Sequence, residues 1–598
     1  MINFNKPTVE QFFRTYAITN FTVSSDESRI LFSTNLNGKM NVWAMDLPNG
    51  FPYLFAHTEQ SCNFLKEDPN KQYVLGGFDQ DGDENYHMYA FPYGGGNKKK
   101  IVEGTKEDKF YFSHLSEDGK RMFYVTSQGN PQFLKGYVYD LEKDEHKQLY
   151  TGEGAPTFIS AVSPNERYLV TIKMMANTYK VGYLHDLETG EVKPISENPE
   201  SVHEFNQGLF ISDDEILYLT NDEAEFTYVM KYEISSGDRT KYASFDDQSI
   251  EGIEWNKESK TLYLNTEKGV VDSLYTVSED DQSPKRIDCP LTTFDQVKVA
   301  KSGNVYVLGR SATEPFNLYR LSDGQKWEKL TENKVLGIDE AQMVEPEVIT
   351  YPSFDDKEIE ALWFEAKPEN DNGHVIFWPH GGPQAAERKS FRAMFQCFLN
   401  RGYSIFAPNF RGSTGYGATF KKLVEQDWGE GPRLDCVAGI EWLFETGKCD
   451  RDKLFVLGGS YGGYMTLLLA GRHSEYFRAV IDIFGVSNLF TFIHSVPDHW
   501  KPIMERWLGD PERDKERLTK DSPITYLETM TKPMLVIQGA NDPRVVKEES
   551  DQIVDALKKQ GTEIDYLVLD DEGHGFSKKE NEIEVYKTIL QFLEKYRK

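Results

Sequence analysis

Two hydrophobic periods divide the chain. From about residue 16 to 332, apolar and polar positions alternate in short runs, the period that puts every second side chain on one face of a strand. One phrase recurs: a strand, a polar turn, an alternating strand, an aromatic-rich strand and a charged hairpin. Its core reads VSSDESRILFST, LKEDPNKQYVLGG, LSEDGKRMFYVTS, VSPNERYLVTIK, ISDDEILYLT, WNKESKTLYLNT and VAKSGNVYVLG. Each copy is followed by a strand such as NVWAMDL, YHMYAFPY or NLYRLSD. With Asp26, Asp68, Asp118, Pro164, Asp213, Lys257 and Lys301 as anchors, the spacings are 42, 50, 46, 49, 44 and 44 residues. Four-stranded propeller blades take about 40–50 residues, so seven units predict a seven-bladed β-propeller. A pair of β-sandwiches or a solenoid is the alternative. Upstream, Thr8 and Gln11 have capping-box spacing, which predicts a short helix near 8–16.

After about residue 336 the period changes. The apolar runs HVIFWPH, YSIFAPNF, KLFVLGGS, RAVIDIFG, PMLVIQG and DYLVLDD read as buried strands. Helical stretches such as RLDCVAGIEWLFETG, EESDQIVDALKKQG and NEIEVYKTILQFLEKYRK alternate with them. That alternation predicts an α/β domain with a mostly parallel sheet covered on both faces. The expected division is a propeller over 1–335, with the short helix first, and an α/β-hydrolase domain over 336–598. No Pro/Ser-rich linker separates them, so the two are expected to pack directly.

Charge narrows the partners. The chain of 598 residues carries a net charge of −29. Residues 341–598 hold 32 basic and 42 acidic side chains, leaving 35 and 54 for the first 340. Both halves repel phosphate backbones and anionic lipid, which disfavours nucleic-acid and membrane-surface roles. Five scattered cysteines without CxxC spacing read as reduced thiols. The opening MINFNKPTVEQFF has no basic n-region and no apolar core, so the expected location is cytoplasmic.

The sharpest chemical signal is Gly458-Gly459-Ser460-Tyr461-Gly462, which fits G-x-S-x-G between a buried strand and a helix. A serine hydroxyl needs a base to take its proton. His574, between two glycines after the last strand, stands where that base belongs, and Asp542 follows the preceding strand as its acid. Asp570, Asp571 and Glu572 are rivals by proximity, but a partner from a separate strand end orients the ring better. For a developing oxyanion, Tyr461 offers one backbone N–H, and the loop His380-Gly381-Gly382-Pro383 is expected to supply another. Phe484, Phe490, Phe492, Ile493 and Trp500 are equally consistent with a specificity pocket and with a core cluster. No metal or organic cofactor is required: His203-Glu204 lacks the second histidine of HExxH, and Asp79, Asp81 and Asp83 lack an EF-hand glutamate.

The motifs HGGP at 380–383, NFRGSTGYG at 409–417, GGSYGGYM at 458–465, GANDPRV at 539–545 and DEGHGF at 571–576 resemble the prolyl oligopeptidase family of serine peptidases. Within it the chain is most similar to the acylaminoacyl-peptidase branch, by its domain order, its HGGP loop and its Asp-Pro-Arg at the acid. The resemblance implies Gly382 N–H as the second oxyanion donor and Arg544 as the anchor for a carbonyl on the substrate's acyl side. It also implies a propeller that admits only short or unstructured peptides, and a product that is an N-acylated amino acid or short fragment. Trp378-Pro379 before HGGP departs from the family's usual pattern. Dipeptidyl or prolyl cleavage, a carboxylesterase, and a scaffold with an inactive hydrolase half are the rival readings. Edge strands in either half also allow a homo-oligomer.

Overall fold

The computed structural model describes residues 6–48, 50–322 and 326–598. Seven four-stranded antiparallel sheets follow one another along the chain, over 18–56, 62–100, 110–151, 157–194, 205–243, 249–287 and 293–329. These are the seven blades, and the anchor residues of the repeat fall at the turn between the first and second strand of each. In six blades that turn carries one residue in the left-handed region: Glu27, Lys71, Gly119, Glu166, Lys260 and Gly303. The fifth turn, between Phe210 and Glu215, carries none.

Each blade is built from four consecutive strands, so among the described residues none is exchanged to close the ring. Gln296 in the last blade accepts from Phe21 N at 2.9 Å and donates to Phe21 O at 3.1 Å. Gln207 makes the same pair of bonds to Ile253 between blades five and six, at 3.0 and 2.8 Å. First and last blades therefore meet by the device that also joins neighbours inside the ring.

The second half is built on one eight-stranded sheet. In chain order its strands are β1 (Glu347–Pro352), β2 (Glu358–Phe364), β3 (His374–Phe377), β4 (Tyr403–Pro408), β5 (Leu454–Gly459), β6 (Val480–Ile483), β7 (Met534–Gly539) and β8 (Ile564–Leu569). Their spatial order is β1-β2-β4-β3-β5-β6-β7-β8. The pairings β1–β2 and β2–β4 are antiparallel and the rest parallel.

Both faces are buried, and the strand period sorts their side chains. Val375, Phe377, Val456, Val480 and Val536 join one core with the helices Gly431–Glu445, Tyr461–Arg472 and Lys547–Gln560. Ile376, Phe455, Leu457, Ile481 and Leu535 join the other, with Ala393–Asn400 and Lys579–Arg597.

The N-terminal helix, Val9–Phe13, has the capping box at Thr8 and Gln11. It precedes the propeller in sequence but packs on the hydrolase half: Phe12 and Phe13 lie in the second core, and Phe13 stacks on Tyr586 at 4.5 Å.

The propeller caps the carboxyl edge of the sheet. Arg388, Gly415, Lys421, Asn541, Arg544 and Lys578, on the segments that follow β3, β4, β7 and β8, bind Asp272, Gly269, Glu204, Asp81, Glu84 and again Asp81 respectively. In open α/β sheets reacting groups gather at this edge. Among the described residues no helix is long and apolar enough to cross a membrane, and all five cysteines are unpaired.

Candidate active site

Strand β5 ends in a sharp turn and the helix Tyr461–Arg472 starts at once. Ser460 sits between them at φ 59°, ψ −124°, a region that costs a non-glycine residue about 1–3 kcal/mol. Its N–H donates to Ile483 O of β6 at 3.0 Å, which holds the strained turn against the sheet. Space is the second requirement. A Cβ at Gly462 would lie 2.1 Å from Pro379 O, because the loop after β3 crosses the helix there. Gly462→Ala must therefore push that loop away from Ser460. A misplacement of about 1 Å costs on the order of 10²-fold, so kcat/KM for a chromogenic substrate should fall by that factor, with a lower melting temperature. Wild-type turnover in this variant would show that the loop contact is not needed.

The structure brings Ser460, His574 and Asp542 together. His574 Nε2 lies 2.9 Å from Ser460 Oγ, and its Nδ1 lies 2.6 Å from Asp542 Oδ2. A carboxylate only accepts, so the ring proton is on Nδ1 and Nε2 is left bare to take the serine proton. The other carboxylate oxygen, Oδ1, accepts from Arg544 N at 2.9 Å and Val545 N at 3.0 Å. The Asp542 side chain is fully buried. Asp571 instead binds Lys578, and Glu572 accepts from Ser577 and Lys578 in shaping the loop that carries His574.

On the oxyanion side, Tyr461 N–H opens its helix and has no intrahelical acceptor. The HGGP loop reaches the same point, since a Cβ at Gly381 would lie 3.5 Å from Ser460 Cβ. Gly382 follows with φ 131°. The loop is anchored by His380, whose ring stacks on Phe410 at 4.2 Å and whose Nε2 meets Ser413 Oγ at 2.8 Å. Burial pushes the His380 imidazole down to about 4, so it is a neutral strut.

Arg544 extends toward the propeller. Its Nε is 2.8 Å from Glu84 Oε1 in the second blade, and its side chain is 45% exposed. The hairpin that carries Asp79, Asp81 and Asp83 thus reaches the loops that carry Asp542 and His574. Gly82 and Gly573 meet backbone to backbone, and a Cβ on Gly82 would lie 2.4 Å from Gly573 N. Asp79 in this hairpin is pushed up to about 7 by burial and by Asp83. Among the described residues no acidic, histidine or cysteine cluster has metal-holding geometry. Glu204 likewise gains a partner invisible in sequence, Lys421 Nζ at 2.9 Å.

The aromatic segment after β6 divides. Phe484 packs on the His574 ring at 4.5 Å. Phe492 and Ile493 are buried in the first core, with Phe490 and Trp500 packed against it. Asp482 of β6 is fully enclosed beneath the nucleophile helix, with Oδ1 accepting from Gly485 N at 2.9 Å and Oδ2 without a partner among the described residues. Burial pushes its carboxyl up to about 7.

Residues 389–598 match the family model described as "Prolyl oligopeptidase family". The chain is 40% identical over 212 residues to "Dipeptidyl aminopeptidase BIII" of Pseudoxanthomonas mexicana, covering 35% of this chain and 31% of that protein. It is 30% identical over 251 residues to "Acylamino-acid-releasing enzyme" of Arabidopsis thaliana, covering 40% of this chain and 32% of that protein. The matched stretch thus spans about a third of each relative's length. A solved Mycobacterium tuberculosis "puromycin-hydrolyzing peptidase" superposes with a TM-score of 0.86 over 98% of this chain and 95% of its own, at 16% identity. That likeness is one of fold.

Proposed function

We propose that this chain, whose residues 389–598 match the prolyl oligopeptidase family, is a serine-type peptidase that removes N-terminal fragments from short peptides. The observation that carries this reading is the unbroken chain Ser460–His574–Asp542, at 2.9 and 2.6 Å, under a propeller that covers the carboxyl edge of the sheet. Ser460 attacks the scissile carbonyl as His574 Nε2 takes its proton. The N–H groups of Tyr461 and Gly382 receive the oxyanion, His574 returns the proton to the leaving amine, and water then releases the acyl group from Ser460 by the same route.

Two chemistries at the substrate's N-terminus compete. Arg544 suits the carbonyl of an N-acyl group, since a guanidinium held in a cleft donates in a fixed fork. On this basis the product is an N-acylated amino acid. Glu84 favours the second reading: its carboxylate stands beside Arg544 and suits a free ammonium, as a dipeptide-releasing enzyme requires. Esters with the same acyl groups are expected as side substrates.

A paired chromogenic assay separates the readings. It compares the p-nitroanilide of an N-acetylated amino acid with the same amino acid bearing a free amine, and with a free dipeptide ending in proline. At least tenfold higher kcat/KM for the blocked amine supports acyl release and gives Arg544 its role. Preference for a free amine, lost in Glu84→Gln, moves the enzyme to dipeptide release. Turnover of none of them, or only of esters, removes the peptidase reading.

A further inference from the structure

Behind the nucleophile lies a cavity of about 470 Å³, within the range that holds small ligands. Gly381, Ser460 and His574 line it together with Arg392, Glu582 and Tyr586. It shares no lining residue with the cavity beside Asn541 and Pro543 on the Asp542 side of the site. Arg544 and Glu84 do not line it either, so a substrate part held here is not the part they face.

The wall is built around an uncommon residue. Trp378, the departure from the family pattern before HGGP, donates its indole N–H to Glu387 Oε2 at 2.9 Å. Glu387 is buried and its other oxygen, Oε1, accepts from Arg392 Nε at 2.7 Å. The guanidinium lies against Trp378 and Phe395, 5.6 and 5.7 Å from the ring centres. Trp378, Glu387 and Arg392 thus brace one another beside the oxyanion loop. Only Nε of Arg392 is engaged: among the described residues neither terminal nitrogen has an acceptor. A guanidinium fixed by one edge presents its other N–H groups as a preset fork, the geometry that binds a carboxylate in bidentate fashion.

Glu582, which also lines the cavity, does not pair with Arg392. It is tied to Lys579 Nζ at 2.6 Å on its own helix. Burial, with Glu572 nearby, raises its carboxyl above the usual range although Lys579 opposes the shift. Glu387 keeps Arg392 charged. Burial, with Glu582 beside it, pushes the Tyr586 hydroxyl up, so it is neutral.

We infer that Arg392 is a specificity-determining residue that binds a carboxylate of the substrate in this cavity. The inference rests on the peptidase reading for its substrate class but not on turnover. The carboxylate has two sources, the C-terminus of a short peptide or an acidic side chain. With the N-terminus read near Arg544, a carboxylate read here would limit cleavage to peptides a few residues long.

The test is binding, measured by titration calorimetry on full-length Ser460→Ala protein so that cleavage plays no part. Trialanine is compared with trialanine amide, and Ala-Glu-Ala amide with Ala-Gln-Ala amide. A charge-assisted fork contributes about 1.5–3 kcal/mol, or roughly ten- to hundredfold in Kd. One acidic ligand is therefore expected to bind at least tenfold tighter than its neutral twin, and which pair does so identifies the source. Adding Arg392→Met should bring that ratio within twofold. Because Met leaves Glu387 buried and unpaired, Arg392→Lys is the folding control: it keeps the charge, loses the fork and should retain an intermediate ratio. Equal binding within both pairs, no binding by any of the four, or a ratio unmoved by Arg392→Met would overturn the inference. Acid preference in a wild-type protein that cleaves no peptide would leave it standing and sink the peptidase reading instead.

Discussion

Ser460→Ala is expected to lower kcat/KM on the best p-nitroanilide by at least about 10⁴-fold, because His574 then has no hydroxyl to activate. What remains is the background from the oxyanion donors and substrate binding. Little else should change. The hydroxyl makes one hydrogen bond, to a ring already held by Asp542 at 2.6 Å, and alanine inherits the same backbone turn. Melting temperature should stay within a few degrees of wild type, and substrate binding should persist. Fluorophosphonate labelling provides the second readout: wild type should be modified once, at Ser460, and the variant not at all. Activity surviving within tenfold, or labelling at another serine, would remove Ser460 from the mechanism. The same labelling separates an active hydrolase from an interaction scaffold with a silent second half.

How far the sequence carried depended on the range of each contact. Blades are local: a strand, its turn and its neighbours lie within about 50 residues, so the repeat around Asp26, Asp68 and Asp118 exposes them. The triad was legible because Ser460, Asp542 and His574 each follow a buried strand in the order the fold demands. The antiparallel strands β1 and β2 lack this signal, since Glu347, Glu358 and Glu360 break the continuous apolar run that marks a parallel strand. Contacts across the domain seam had no periodic signal at all. Glu204 meets Lys421 217 positions away, and Gly82 meets the loop of His574 only because two glycine backbones pass where side chains would collide. Trp378 was visible as an odd residue, but its reason lies in Glu387 and Arg392, which only the folded loop brings to it. Asp482 looked like one more strand residue, and burial alone makes it an unpaired acid under the nucleophile helix.

Asp542→Asn is expected to cost nearly as much as removing the nucleophile, about 10⁴-fold in kcat with little change in KM, although it replaces one oxygen by an amide nitrogen. The carboxylate receives three donors: His574 Nδ1–H on Oδ2, and the N–H groups of Arg544 and Val545 on Oδ1. An asparagine has one oxygen to offer. If its oxygen faces the two backbone N–H groups, its NH₂ points at Nδ1, forces the ring proton onto Nε2 and leaves Ser460 without a base. If it turns the other way, the NH₂ meets two donors in a site from which water is excluded, since the side chain is fully buried, and both are orphaned at about 1–3 kcal/mol each. Either orientation disables the histidine or distorts the turn that holds it. The nearby acids lack this arrangement. Asp571 is paired with Lys578 at 2.7 Å on the half-exposed face of its loop, so Asp571→Asn should stay within about threefold of wild type, as expected for an exposed pair worth ~1 kcal/mol or less. Steady-state kinetics on the two variants decide between them. A deep loss in Asp571→Asn with a mild one in Asp542→Asn would transfer the role of orienting His574 from the end of β7 to the histidine's own loop.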